Sequence, residues 1–333
     1  MSVPAPLVVL LVVAFAFDFL NGVHDSADAV ATIIASRAMS ARGALILAAL
    51  ASLAGPFLLG VAVAETVGAG LVRPQSITIA VVVAALLAAG TCNAVTWYLG
   101  IPVSSSHALI GGMLGAAASA SGLAAIQAQG LWKVAAALLT SPILGFVAAL
   151  AIMRGMRWLL RDATPRANIA LSRAQVLTAA ALAMSHGAND AQKTVGMIAL
   201  GLVTLGWTPV FVVPWWTIVL SASAIALGTA VGGARIIHTL GARFYRIRPI
   251  HSFTAQTASA SVLLAMSLAG GPVSTTQVTS LAIVGAGAGE RKSQVRWSAL
   301  GEIAIAWFLT LPVAVLLAVP LHYLVEATLR HGG

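Results

Sequence analysis

Gly22-Val23-His24-Asp25-Ser26-Ala27-Asp28-Ala29 and Gly187-Ala188-Asn189-Asp190-Ala191-Gln192-Lys193-Thr194 are two versions of one motif, 165 positions apart. A second pair follows in the same order. Pro102-Val103-Ser104-Ser105-Ser106-His107 is echoed 170 positions later by Pro272-Val273-Ser274-Thr275-Thr276-Gln277. Chance can supply either match alone. Two matches in one order and at nearly one spacing mark a duplicated chain, a pattern common in membrane carriers.

The residues around these motifs are apolar. Hydrophobic residues fill 59% of the 333 positions and charged residues only 8%, against about 25% charged in a soluble domain. About 20 consecutive apolar residues span a bilayer as a helix. Such runs cover roughly 5–36, 44–66, 77–100, 102–121, 133–153, 174–202, 211–231, 252–270, 272–289 and 298–322. They are solid rather than alternating, which excludes a spanning β-barrel. The 31 glycines suit close helix packing in lipid. The first and sixth runs are long enough for tilted or broken helices. The fourth and ninth open on proline and hydroxyl residues and suit re-entrant hairpins. The first run lacks a basic leader and continues into a polar motif, so it reads as a membrane helix, not a signal peptide. The expected fold is an all-α polytopic membrane protein with about 10–12 membrane segments. Its repeats are 1–153 and 174–333, joined by a basic linker at 154–173.

The net charge of +9 lies in the gaps between runs, which argues against nucleic-acid binding. If the linker is cytoplasmic, Arg37, Arg42, Arg154, Arg157, Arg161, Arg166, Arg173, Arg235, Arg243, Arg246, Arg248, Arg291, Lys292 and Arg296 all fall inside. That is 14 of the 18 basic residues, as the positive-inside bias requires. Arg73, Lys133 and Arg330 fall outside, and both termini are then external. Five crossings per half is an odd number, so the halves have opposite orientations: an inverted repeat. The single Cys92 excludes an internal disulfide and reads as a packed helix residue.

Asp25 and Asp190 stand in apolar runs, where a carboxylate faces a cavity, pairs with a charge or binds a cation. Gly22 and Gly187, three residues earlier, are expected to loosen the helix so that carbonyls also reach an ion. Na⁺ would use carboxylate, carbonyl and hydroxyl oxygens; a proton would need only the carboxylate. At the Pro-Val-Ser runs a helix starting inside the membrane would aim its free N–H groups and positive dipole end at an anion. Ordinary helix capping is the plain reading of either run alone; their pairing favours a site. His24, His107 and His186 with Asp25 and Asp28 show no metalloenzyme spacing. Lys193 either neutralises Asp190 or approaches the anion. Glu65 and Asp162 read as solvated, and the roles of Asp18 and Glu302 stay open. Most of the eight tryptophans fall near run ends, as in interfacial belts. No nucleotide-binding motif appears, and the chain reads as no enzyme.

At these residues the sequence resembles the inorganic phosphate transporter family, in its compact bacterial low-affinity form. Gly22–Ala29, Ser185–Lys193, Pro102–His107 and Pro272–Gln277 carry the likeness, with Gly232–Ile237 and the segment through Arg296-Trp297. The resemblance implies inverted repeats with the substrate site between them. It implies cation-site roles for Asp25 and Asp190. It implies phosphate contacts from His24, Asn189, Ser104, Ser105, Ser106, Ser274, Thr275 and Thr276. Two positions depart from the family: Asp28 replaces the usual Asn, and Gln256 stands where Glu is expected. One adds a carboxylate and the other removes one, so both join the coupling set.

The expected function is secondary symport of inorganic phosphate across a prokaryotic inner membrane. H⁺ or Na⁺ would drive it, or a metal–phosphate complex would be the cargo. A sulfate or other tetrahedral-oxyanion permease is the near alternative; a passive anion channel and a membrane enzyme are remoter ones. The expected partners are phosphate, the bilayer and further copies of the chain, with no nucleic acid. No cofactor is expected beyond the co-transported cation.

Overall fold

Prolines and glycines cut the apolar runs into twelve α-helices, six in each half. The computed structural model describes residues 4–58 and 60–331. The first half contains α1 (Ala5–Ala35), α2 (Ala41–Ala54), α3 (Ala62–Gly70), α4 (Ile79–Leu99), α5 (Ser105–Ser121) and α6 (Ala128–Leu159). The second contains α7 (Arg166–Thr204), α8 (Trp215–Val231), α9 (Ala234–Ala242), α10 (Pro249–Leu268), α11 (Thr275–Glu290) and α12 (Trp297–His331). Among the described residues there is no β-strand, only an isolated bridge between Val72 and Ile126.

The element order repeats, and so do its irregularities. The second crossing of each half is a bent helix pair, α2 with α3 and α8 with α9, the latter turning by 72°. Pro56 lacks the N–H that would continue α2. Gly232 takes φ +76°, a conformation that stops α8 and suits only glycine. The first break divides the second apolar run, and α9 falls in the stretch after the seventh, so the ten runs correspond to twelve helices among the described residues. Among the described residues five helices are long and apolar enough to cross a bilayer, or seven spans if each bent pair counts as one. α5 and α11, the helices of the two runs read as hairpins, have 17 and 16 residues and are too short to count among these spans.

Contacts between α1 and α7 give the relative direction of the halves. Leu10 packs toward Gly201, Thr194 bonds Asp18, and Ser36 bonds Gln175. Numbers rise along one helix as they fall along the other, so the leading helices are antiparallel and the repeats inverted. The halves also interlock. α5 lies on α12, with Gly111 against the Leu311 carbonyl and Gly115 against Val315. α11 lies on α6, with Gly145 against Val278 and Gly285 against Phe146. The exits of the re-entrant helices are tied alike: Arg73 N donates to Ala125 O at 2.8 Å, and Arg296 N donates to Phe244 O at 3.0 Å.

Two expectations change. α1 and α7 run unbroken through both motifs, so Gly22 and Gly187 do not loosen them. They are crossing points instead. A β-carbon on Gly22 would fall 2.3 Å from the Ile225 carbonyl oxygen, and one on Gly187 would fall 2.4 Å from that of Ser52. The irregular chain between the halves spans only 160–165, because α6 carries Arg154 and Arg157 and α7 carries Arg166 and Arg173. Glu302 belongs to the surface: its carboxylate is 2.9 Å from Arg243 on a half-exposed face. Leu50, Leu139, Ile143, Leu177, Leu227 and Leu316 are each more than half exposed, an apolar belt that lipid would cover.

Gly187→Val should force α7 away from α2 and destabilise the protein by about 1–3 kcal/mol, the usual range for overpacking. Thermal unfolding in detergent micelles should show a lowered midpoint; an unchanged one would contradict the crossing.

Candidate substrate and ion site

The starts of α5 and α11 meet against the middles of α1 and α7. Ser104 and Ser274 occupy the two caps, and their side chains accept from the amides of His107 and Gln277 at 3.1 and 3.3 Å. Ser104 Oγ also lies 2.6 Å from His107 Nδ1. These two serines therefore start the helices, and the next two hydroxyls on each helix reach the charged groups.

The first of these serves the carboxylate of its own half. Ser105 Oγ donates to Asp25 Oδ2 at 2.8 Å, and Thr275 Oγ1 reaches Asp190 Oδ2 at 3.4 Å. The second crosses to the other half. Thr276 Oγ1 donates to Asp28 Oδ2 at 2.8 Å and lies 3.4 Å from Asp25 Oδ1. Ser106 Oγ accepts from Lys193 Nζ at 2.6 Å and donates to the Val273 carbonyl at 2.6 Å. Asp28 and Lys193 are equivalent positions of the repeat, so one scaffold presents a carboxylate on one side and an ammonium on the other.

The remaining partners complete a sealed cluster. His24 Nδ1 is 2.5 Å from Asp25 Oδ1, and Thr96 Oγ1 is 3.3 Å from His24 Nε2. Lys193 Nζ donates to Asp190 Oδ1 at 2.5 Å and to the Val273 carbonyl at 2.9 Å. His186 Nε2 stands 3.0 Å from Asp190 Oδ2, close enough to pair but without hydrogen-bond alignment. Asp25, Asp28, His186, Asp190, Lys193 and the four inward hydroxyl residues are each at most 4% exposed. The cluster is shut off from both faces.

Not every expected residue joins it. The Asn189 amide donates to Ser267 Oγ at 2.9 Å and approaches the Gly271 carbonyl at 3.5 Å, holding the segment that leads into α11. Its Oδ1 has no partner. Gln256 ties three helices together instead: it accepts from Thr178 at 2.6 Å and donates to Thr32 at 3.0 Å. Thr32 is one turn beyond Asp28, so Gln256 touches the coupling set only through α1. His186 is the residue that spacing alone set aside. It lies four residues before Asp190 and Lys193 lies three after, positions that share a helix face. That face was the available signal.

Three carboxylates and one ammonium give the cluster an excess of negative charge that needs protons or cations. One atom each from Asp25, His186 and Asp190 lie within 4.8 Å of one another, a set able to hold a cation between the repeats. Beside them the starts of α5 and α11 bring hydroxyl donors and N–H groups that have no partner within the helix. Groups suited to a cation and groups suited to an oxyanion thus adjoin.

Known proteins share this architecture. Residues 21–318 match the phosphate transporter family. A Rhizobium meliloti protein described as a probable low-affinity inorganic phosphate transporter is 44% identical over 94% of this chain and 94% of its own. A Bacillus subtilis protein of the same description is 38% identical over 96% and 97%. The solved structure entitled "The sodium-dependent phosphate transporter" superposes with a TM-score of 0.88 at 21% identity, covering 97% of this chain and all of that one. At that identity the likeness concerns the fold.

Lys193→Met should leave Asp190 buried without its ammonium partner, with only His186 and Thr275 beside it, lowering stability by about 3–5 kcal/mol. Adding Asp190→Asn should recover most of the loss. Unfolding of both variants in micelles tests the pair; a harmless single substitution would refute it.

Proposed function

The chain belongs to the phosphate transporter family, and from that premise we propose that it is a secondary symporter of inorganic phosphate in the cytoplasmic membrane. The observation that carries the reading is the sealed cluster between inverted halves, with three carboxylates to one ammonium. An oxyanion entering beside uncompensated carboxylates would meet strong repulsion in a low-dielectric interior. Cations must therefore enter with it. An inside-negative potential adds about 2.3 kcal/mol per anionic charge per 100 mV against entry, and co-transported cations offset that as well.

Asp25, Asp28 and Asp190 receive the coupling cation in this reading. Ser105, Ser106, Thr275 and Thr276 turn from the carboxylates to the phosphate as it binds. Alternating access follows from the interlocked packing, in which each re-entrant helix rides on the last helix of the other half. The linker side faces the cytoplasm, by its arginine excess.

One observation favours a metal–phosphate complex as a form of the cargo. His186 completes a set of three ligands with Asp25 and Asp190, and imidazole with carboxylate suits divalent transition metals.

Radiolabelled phosphate uptake into proteoliposomes tests the function, with Na⁺ gradients, proton gradients and divalent chelation imposed separately. Uptake against a gradient excludes a passive channel, and transport of sulfate in place of phosphate would overturn the substrate. Thr276→Ala removes a hydrogen bond to a charged group worth about 1.5–3 kcal/mol, so uptake should fall about tenfold or more. Asp28→Asn should change the ion dependence of uptake; an unaltered dependence would remove Asp28 from the coupling set.

A further inference from the structure

Asp18 is a fully buried carboxylate that the substrate site does not use. It lies near the middle of α1 with no measurable exposure, seven residues and about 10 Å of helix before Asp25. Its Oδ1 accepts a hydrogen bond from Thr194 Oγ1 of α7 at 2.5 Å. Its Oδ2 and the hydroxyl of Ser221 on α8 make no aligned hydrogen bond among the described residues, although Ser221 lies within hydrogen-bonding reach of the carboxylate. No ion pair with a basic residue compensates Asp18 among the described residues.

A bare carboxylate oxygen in that place is strongly disfavoured. The Ser221 hydroxyl can donate to Oδ2, but that would leave the buried charge without a counter-charge; one proton removes the charge and still pairs both atoms. Placed on Oδ2, it makes an O–H that can donate to Ser221 Oγ, while Thr194 continues to serve Oδ1. A metal cation fits less well. Hard cations gather about six oxygens, and here three side chains supply them. α1, α7 and α8 are continuous at this level, so their carbonyls stay in their own helix ladders.

We propose that Asp18, Thr194 and Ser221 form a proton-binding site, distinct from the substrate site, that carries a proton with each transported anion. The proposal rests on the transport reading and adds a proton to the cations that drive it. Water on the entry side supplies the proton, and an O–H bond forms at Oδ2. On the release side that bond breaks, the proton returns to water and the carboxylate is restored. No electrons move. The sealed state tolerates Asp18 only as the acid, so the carrier closes only when the proton is aboard.

The surroundings allow communication with the substrate cluster. Thr194 directly follows Lys193 and lies one turn from Asp190. The charged groups that act on Asp18 are Asp190 and Lys193 of α7; further along, α7 carries His186 and α1 carries His24, Asp25 and Asp28. α8 presents none, and α4 only Cys92 and Tyr98. The device belongs to one half: Ala183 stands at the position equivalent to Asp18.

The test compares wild-type protein and Asp18→Asn in proteoliposomes. Phosphate–phosphate exchange at equal pH is measured first, then accumulation under an imposed pH gradient of one unit. Wild type should accumulate phosphate about tenfold per coupled proton, and Asp18→Asn should exchange but accumulate about tenfold less, having lost one coupled proton. Accumulation by Asp18→Asn equal to wild type would overturn the proposal, as would wild-type accumulation driven by Na⁺ alone. A second readout is independent of transport. Infrared difference spectra between acid and alkaline pH should show a carboxylic-acid C=O band in wild type that is missing in Asp18→Asn. If the variant loses exchange as well, this band decides: its presence supports the site and its absence refutes it. If wild type neither exchanges nor accumulates phosphate, the phosphate reading fails, while the infrared comparison still tests the proton site.

Discussion

A carboxylate inside a hydrocarbon layer has to find its counter-charges and donors within the protein, because the bilayer supplies none. Asp25 and Asp190 impose that requirement at the centre of this molecule. The starts of α5 and α11 answer it with hydroxyls, and Lys193 answers it with a charge. The rest of the architecture holds those starts in place. Ser104 and Ser274 cap them, Trp307 Nε1 fixes the Pro102 carbonyl at 2.9 Å, and α12 and α6 carry their far ends.

Inversion makes this economy possible. One supersecondary plan, used twice in opposite directions, brings two half-helices to one point from both sides. Each then bonds its own half with one hydroxyl and the partner half with the next. The cross-bonds, Thr276 to Asp28 and Ser106 to Lys193, stitch the halves at the level of the site. In the proposed transport cycle, a movement that opens the site to either face exchanges these bonds, and an arriving anion offers acceptors in their place.

Symmetry of scaffold does not extend to charge. Asp28 and Lys193 occupy equivalent positions with opposite sign, and Asp18 has only Ala183 as its counterpart. Lys193 behaves as a tethered cation in the second half, held by a carboxylate, a hydroxyl and a carbonyl. The first half keeps the corresponding place acidic, with Asp28 bonded to Thr276. The halves thus share the work of enclosing the cluster and divide the work of compensating it.

The twofold plan, the membrane setting and the pairing of Asp motifs with Pro-Val-Ser motifs were all legible in the sequence. They rest on local residue patterns and on charge placed between apolar runs. The inversion followed from arginine placement, since loop charge is read without any contact. Tertiary structure alone decided the rest. Gly22 and Gly187 turned out to be contact points, because only a neighbouring helix reveals how close its backbone comes. Gln256 left the carboxylates and His186 joined them, because each depends on which face of a long helix turns inward. Asp18 took on meaning only when α8 set an unpaired hydroxyl beside it. A chain encodes which groups must be buried together, and packing selects which atoms then meet.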